Sequence, residues 1–97
     1  MEKLLTIAIP VFERFDFFPD AFNSALKQTV PCTVLVVDNA SKHSLFHDYC
    51  KSYGNENTIY VRNDKNLGMI ENWNRCIELC TTKYITILHD DDILHHQ

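Results

Sequence analysis

Short apolar runs alternate along this chain with stretches of helical period, and small polar clusters separate the two. Thr6-Ile7-Ala8-Ile9-Pro10-Val11-Phe12 is apolar and rich in β-branched residues, which predicts a buried strand ending near Pro10. Phe18, Phe22, Ala25 and Leu26 then recur at helical spacing, with Pro19 in the first turn, where a missing N–H is harmless. Pro31 predicts that this helix stops around Gln28–Thr29, because the residue before a proline disfavours helix. Thr33-Val34-Leu35-Val36-Val37-Asp38 is a continuous apolar run, as in strands covered on both faces. Leu45, Tyr49 and Tyr53 mark a second amphipathic helix, with Gly54 placed to cap it. Thr58–Arg62 predicts a third strand. Ile70, Trp73, Ile77 and Cys80 step by three, four and three and predict a helix over about 70–81. Tyr84–Leu88 predicts a fourth strand, running directly into His89-Asp90-Asp91-Asp92.

The order β-α-β-α-β-α-β, with connections long enough to be helical, calls for parallel strands joined by right-handed crossovers. The expected fold class is therefore α/β, a three-layer α/β/α arrangement on a mostly parallel four-stranded sheet. At 97 residues the chain is one domain's length. Its 9 Lys and Arg against 13 Asp and Glu leave a net charge of −4, which argues against nucleic acid as a partner. No apolar run approaches the ~20 residues of a membrane span, and no signal-peptide pattern opens the chain, so a cytoplasmic location is expected. Cys32, Cys50, Cys76 and Cys80 are too few and too scattered for a disulfide framework and read as free thiols in or near the core. Only Gly54 and Gly68 are glycine, so no glycine-rich phosphate cradle exists.

In open α/β sheets ligands bind beyond the carboxyl ends of the strands, and every predicted strand here delivers polar groups at that end. These are Glu13 and Arg14, Asp38 and Asn39, Arg62, Asn63 and Asn66, and Asp90, Asp91 and Asp92. Glu13 and Asn63 taken singly read as ordinary loop polarity. Three adjacent carboxylates repel one another unless a cation lies between them. Mg²⁺ and ions like it take oxygen ligands and use one or two carboxylates together with substrate phosphates. The triplet therefore suggests a metal-bridged diphosphate. His89, His95 and His96 lie close by, but a zinc or iron site is the weaker reading.

These residues, in this order, resemble the nucleotide-binding half of a family 2 glycosyltransferase, an inverting enzyme of the GT-A (Rossmann-like) fold. The resembling segments are Thr6–Arg14, Ala25-Leu26-Lys27-Gln28-Thr29, Val36-Val37-Asp38-Asn39-Ala40-Ser41, Asn66-Leu67-Gly68 with Asn72-Trp73-Asn74, and Tyr84–Asp92. The resemblance implies a nucleotide site formed by Pro10, Phe12, Arg14, Asp38, Asn66 and Asp90. It implies an Mg²⁺ or Mn²⁺ site at Asp91, with Asp90 or Asp92 as the second acidic ligand. Phe12 replaces the usual Tyr, Asn39-Ala40 the usual Asp-Gly, and His89 the first Asp of the D-x-D motif.

The resemblance further implies a nucleoside-diphosphate sugar donor of UDP or dTDP type and a glycan or lipid-linked acceptor, as in cell-envelope polysaccharide synthesis. The family's domain is more than twice this length, and its second half carries the acceptor site and the general base. Residues 1–97 are accordingly expected to form the donor-binding half, inactive alone and peripheral to a membrane in a longer context. A homo-oligomer is expected, paired through the fourth strand or through apolar surface at Ile85, Ile87, Ile93 and Leu94. The alternative is a nucleotide-binding or assembly module without catalysis. A receiver-like signalling domain is excluded, since the third strand ends in Arg62-Asn63 rather than a phosphorylatable Asp.

Overall fold

The computed structural model describes residues 3–28 and 30–89. The elements are β1 (Leu5–Val11), α1 (Phe18–Leu26), β2 (Cys32–Asp38), α2 (Leu45–Tyr53), β3 (Thr58–Arg62), α3 (Met69–Leu79) and β4 (Tyr84–Ile87). The four strands form one sheet in the order β3-β2-β1-β4, and all three pairings are parallel. The chain thus lays strands outward from β1 in one direction, then crosses back to place β4 on the other side. The point between β1 and β4 is where the direction of winding reverses, the usual ligand crevice of such sheets.

Two apolar layers sandwich the sheet. On one face Ile7, Ile9, Val11, Val34 and Val36 pack with Phe18, Phe22 and Ala25 of α1 and Phe46 and Cys50 of α2. On the other, Ala8, Leu35 and Val37 pack with Cys76, flanked by Val61, Leu79, Ile85 and Ile87. Each strand alternates between the layers residue by residue, as a two-residue pleat requires. Phe15, Phe18, Phe22, Phe46 and Tyr49 form a connected ring cluster, with centroids such as Phe18–Phe46 at 5.1 Å and Phe15–Tyr49 at 5.8 Å. This cluster ties the β1–α1 loop to both helices of its layer.

The three-layer fold is as the sequence predicts, but several local expectations are corrected. β1 ends near Pro10 as expected, running one residue past it. Ala8 accepts from Leu88 N–H, so Pro10, two residues on, turns a backbone nitrogen without a hydrogen to the β4 side. There β1–β4 pairing ends at Ala8↔Ile87, whereas β1–β2 pairing runs on to Val11↔Asp38. A proline is tolerated in this central strand because it stands where one ladder has already stopped. In α2 the buried residues are Phe46 and Cys50, while Leu45 and Tyr53 are exposed. In α3 the buried face is Asn72 and Cys76, while Ile70 and Ile77 stay exposed. Both apolar stripes mark a helix flank rather than the sheet-facing side. Ile85 and Ile87, expected to be open to water, are half-buried beneath α3. The expected apolar residues Ile93 and Leu94, like His95 and His96, lie outside the described residues.

Gly54 follows α2, but its φ of −74° is ordinary, so conformational freedom is not what glycine supplies. A Cβ there would sit 2.5 Å from the Cys50 carbonyl oxygen and 2.9 Å from Thr58 Oγ1, so glycine lets β3 start hard against the helix end. All four cysteines are free, with Cys50 and Cys76 buried. Gly54→Ala is expected to lower stability by about 1–3 kcal/mol through this overpacking. An unchanged urea midpoint would contradict the close approach.

Candidate functional site

Alternation along the strands decides which polar residues meet. Even-numbered residues of β1 and odd-numbered residues of β2, β3 and β4 face α3. Carried one step past each strand, this places Pro10, Phe12, Asn39, Asn63 and His89 on the α3 side. Asp38, by the same rule, belongs to the α1/α2 side. A cleft of about 410 Å³ opens on the α3 side between β1 and β4, lined by Pro10, Val11, Phe12, Arg14, Asn39, Asn66, Gly68, Met69, Asn72, Trp73 and His89. Four of the expected nucleotide-site residues, Pro10, Phe12, Arg14 and Asn66, are thus brought together. Trp73 and His89 form a wall with ring centroids 5.0 Å apart. On the β1–α1 loop, Arg14 lies 5.4 Å from the Phe17 ring centroid, a cation–π contact.

A chain of side-chain amides organises the edge of the cleft. Asn39 Nδ2 donates to Asn66 Oδ1 at 2.8 Å, and Asn39 Oδ1 accepts from Leu67 N–H at 2.8 Å and Asn63 Nδ2 at 3.0 Å. Asn63 Nδ2 also donates to Asn72 Oδ1 at 2.7 Å, and Asn72 Nδ2 reaches the Val37 carbonyl at 3.2 Å. Asn66 Oδ1 further accepts from Gly68 N–H at 2.8 Å. Asn39, Asn63 and Asn72 are all buried. In a low-dielectric interior such bonds are strong and their loss is costly. They clamp the β3–α3 loop onto the ends of β2 and α3. Asn63 is therefore a structural hinge of the site rather than loop polarity, and Asn72 is a member that helical periodicity alone leaves unmarked. The available signal is four asparagines falling at strand ends and on the first turn of α3.

Asp38 is fully buried behind this wall. Its Oδ1 accepts from Ser41 N–H at 3.0 Å and its Oδ2 from the Tyr60 hydroxyl at 2.7 Å. The turn it closes carries Ala40 at φ 64°, a left-handed conformation rare for alanine. The facing loop is held as tightly. Glu13, at φ 58°, is the centre of a three-residue turn closed by Arg14 N–H to the Phe12 carbonyl at 2.6 Å. Its N–H donates to Ser41 Oγ at 2.7 Å and its Oε2 accepts from Lys42 N–H at 2.6 Å. His43 accepts from Leu45 N–H at Nδ1, so its proton is on Nε2, which donates to the Glu13 carbonyl. Arg62 donates to the carbonyls of Ser41 and His43. Two non-glycine residues with positive φ persist because these bonds over-determine the loops. Glu13 and Arg62 thus brace the site from outside the cleft.

Asp90, Asp91 and Asp92 lie outside the described residues. Among the described residues no group of three or more His, Cys, Asp or Glu side chains is placed to hold a metal ion.

The glycosyl transferase family 2 model matches residues 6–97. The chain belongs to that family. Similar solved structures include S. aureus TarS residues 1–349 (TM-score 0.80, 20% identity, 95% of this chain and 28% of that one). TarS 1–349 has also been solved with UDP-GlcNAc (TM-score 0.80, 20% identity, covering 95% and 27%). Mannosyltransferase PcManGT of Pyrobaculum calidifontis, solved with GDP-Man and Mn²⁺, is similar at TM-score 0.81 and 16% identity, covering 96% and 29%. These likenesses establish the GT-A type of fold. The chain spans less than a third of the length of these structures. No curated protein sequence matches it.

Two outcomes follow from the loops and buried groups. Ala40→Gly is expected to stabilise the fold by about 1 kcal/mol, since glycine adopts positive φ without the steric cost; an unchanged or lower melting midpoint would remove the strain argument. Burial, with the Asp38 carboxylate as a lesser cause, pushes the Cys50 thiol up to about 12. Burial likewise raises Cys76 to about 11, and burial followed by the Asp38 hydrogen bond raises the Tyr60 hydroxyl above its usual 10. Raised folded-state values mean the unfolded chain loses these protons first. Stability is therefore fully present below pH 9 and falls as pH climbs from about 9 towards 12. Tyr60→Phe and Cys50→Ala should each flatten part of that decline in urea titrations run from pH 8 to 11.

Proposed function

We propose that the cleft between β1 and β4 holds the nucleoside diphosphate of a sugar donor, and that this chain is the donor-binding half of an inverting glycosyltransferase. The observation that carries the reading is the cleft's position. It lies at the reversal of strand order, on the carboxyl edge, in a chain of this family. Phe12 and Trp73 offer aromatic faces for a planar base or a sugar ring. Arg14 is the one permanently charged side chain among the described lining residues, and it is suited to a phosphate oxygen. The Asn66 amide, which Asn39 holds in place through its Oδ1, offers its Nδ2 to a ribose or sugar hydroxyl.

One guanidinium leaves most of a diphosphate's charge uncompensated. His89 lines the cleft at the point where the chain passes into Asp90, Asp91 and Asp92, and carboxylates are the oxygen donors that Mg²⁺ or Mn²⁺ prefers. These residues would hold the ion, with Asp91 as the central ligand. Bound there, the metal supplies charge stabilisation on the departing diphosphate. Asp90 would serve the ribose.

Asp38 stands behind the cleft wall, so it reads the base only if the base passes that wall and Oδ2 exchanges the Tyr60 hydroxyl for the imide N–H of uracil or thymine, which keeps one donor on that oxygen. A UDP- or dTDP-type donor rests on this exchange. The acceptor, a glycan or lipid-linked hydroxyl, is met by the part of the domain that this chain does not span in its longer relatives. Among the described residues no helix is long and apolar enough to cross a membrane. β4 is an edge strand among the described residues, so pairing of two copies along it remains our reading of the assembly.

Calorimetry with UDP and dTDP tests the reading. Binding should be weak and present with Mn²⁺ but lost with chelator; Asp91→Asn should remove the metal-dependent part, and Arg14→Ala and Phe12→Ala should each weaken binding about tenfold. Asp38→Asn should weaken binding of the bare nucleoside as well, whereas Tyr60→Phe should not. Equal affinity with metal and with chelator would overturn the metal-bridged diphosphate.

A further inference from the structure

The β3–α3 loop has a second face. Opposite the cleft, and sharing no lining residue with it, a notch of about 270 Å³ is lined by Arg62, Asn63, Asp64, Lys65, Leu67 and Arg75. Three of the nine Lys and Arg residues of an acidic chain gather there, against the single carboxylate of Asp64. The Arg62 guanidinium is engaged with the carbonyls of Ser41 and His43. Arg75 is half-buried on α3, and neither it nor exposed Lys65 makes a hydrogen bond or ion pair with any other described residue. Its guanidinium nitrogens keep contact with water, so the half-burial belongs to the aliphatic stem and the fork stays free to take an anion. The notch is otherwise firmly built, since Asn63 at its floor is fixed by bonds from Nδ2 to Asn39 and Asn72. A fixed floor, an accessible fork of donors and an ammonium beside it suit a tetrahedral anion rather than a carboxylate alone.

We propose that this notch is a phosphate subsite, separate from the donor cleft, that takes the phosphate of a monoester or diphosphate with Arg75 and Lys65 as its ligands. The phosphate comes either from a soluble ester or from a lipid headgroup, and the two arms of the test separate these sources. The inference does not depend on the nucleotide reading of the cleft.

The test is a titration of the 97-residue chain with inorganic pyrophosphate, followed by amide and arginine Nε–H NMR signals, at constant ionic strength and with chelator present. Saturable shifts are expected at Asp64, Lys65, Leu67 and Arg75. The double variant Lys65→Ala/Arg75→Ala should weaken binding at these residues at least about tenfold, while Lys27→Ala, at the end of α1, leaves it unchanged. Should the double variant melt early, Lys65→Gln and Arg75→Gln, checked by circular dichroism, take its place. In the second arm, sedimentation with phosphatidic acid–phosphatidylcholine vesicles exceeding that with phosphatidylcholine alone assigns the site to lipid phosphate. Pyrophosphate saturation without such sedimentation assigns it to a soluble ester. Absence of both a saturable shift and phosphatidic acid-dependent sedimentation, equal affinity in the double variant, or loss of binding in Lys27→Ala would overturn the proposal.

Discussion

The in-register parallel pairing of β1 with β2 is the constraint on which the rest of the structure depends. Seven consecutive pairs, from Leu5↔Cys32 to Val11↔Asp38, align the two strands so that both end at the same level. Because side chains alternate with a period of two, that register also decides which face every residue beyond the strand ends inherits. Asn39 is sent to the α3 layer with Pro10 and Phe12, and Asp38 to the α1/α2 layer with Tyr60. A slip of one residue would bury Asn39 among the phenylalanines and turn the carboxylate into the cleft.

The site is built from neutral amides on one side of the sheet and from charged and strained groups on the other. On the α3 side, Asn39, Asn63, Asn66 and Asn72 join two strand ends, one loop and one helix without placing a charge at the base of the cleft. On the opposite side, Asp38, Glu13 and Arg62 hold two loops whose backbones include positive φ at Ala40 and Glu13. Such strain persists only where several bonds agree. The division leaves the cleft polar but nearly uncharged among the described residues, so a charged ligand there must bring or recruit its own counter-charge.

Pro10 links fold to site in a different way. A residue with an N–H at that position would have a donor to offer the β4 side, where pairing has ended at Ala8↔Ile87. Proline has none to offer, and it stands where the β1–β4 ladder has already stopped while the β1–β2 ladder continues. The cleft opens in the gap. Its position is a consequence of winding order, and its mouth lies where one ladder has ended and the other runs on.

The alternating apolar periods were enough to determine the three-layer fold, the seven elements in order and the carboxyl edge as the place for chemistry. The residues resembling glycosyltransferase family 2 were enough to determine the family. Strand periodicity is a local property, expressed in each run by itself, and so it survives in the sequence. The helix faces were not determined locally. The stripes Leu45–Tyr53 and Ile70–Ile77 are apolar, yet Phe46 with Cys50 and Asn72 with Cys76 are the residues turned inward, because a helix's rotation is set by the sheet it packs on. The same holds for the polar groups. Asp38 and Asn39 are neighbours in sequence with equal claims on a ligand, and only the register of β2 against β1 sends one to the cleft and the other behind it. The amide chain likewise joins positions up to 35 residues apart, through bonds that exist only once four elements have met.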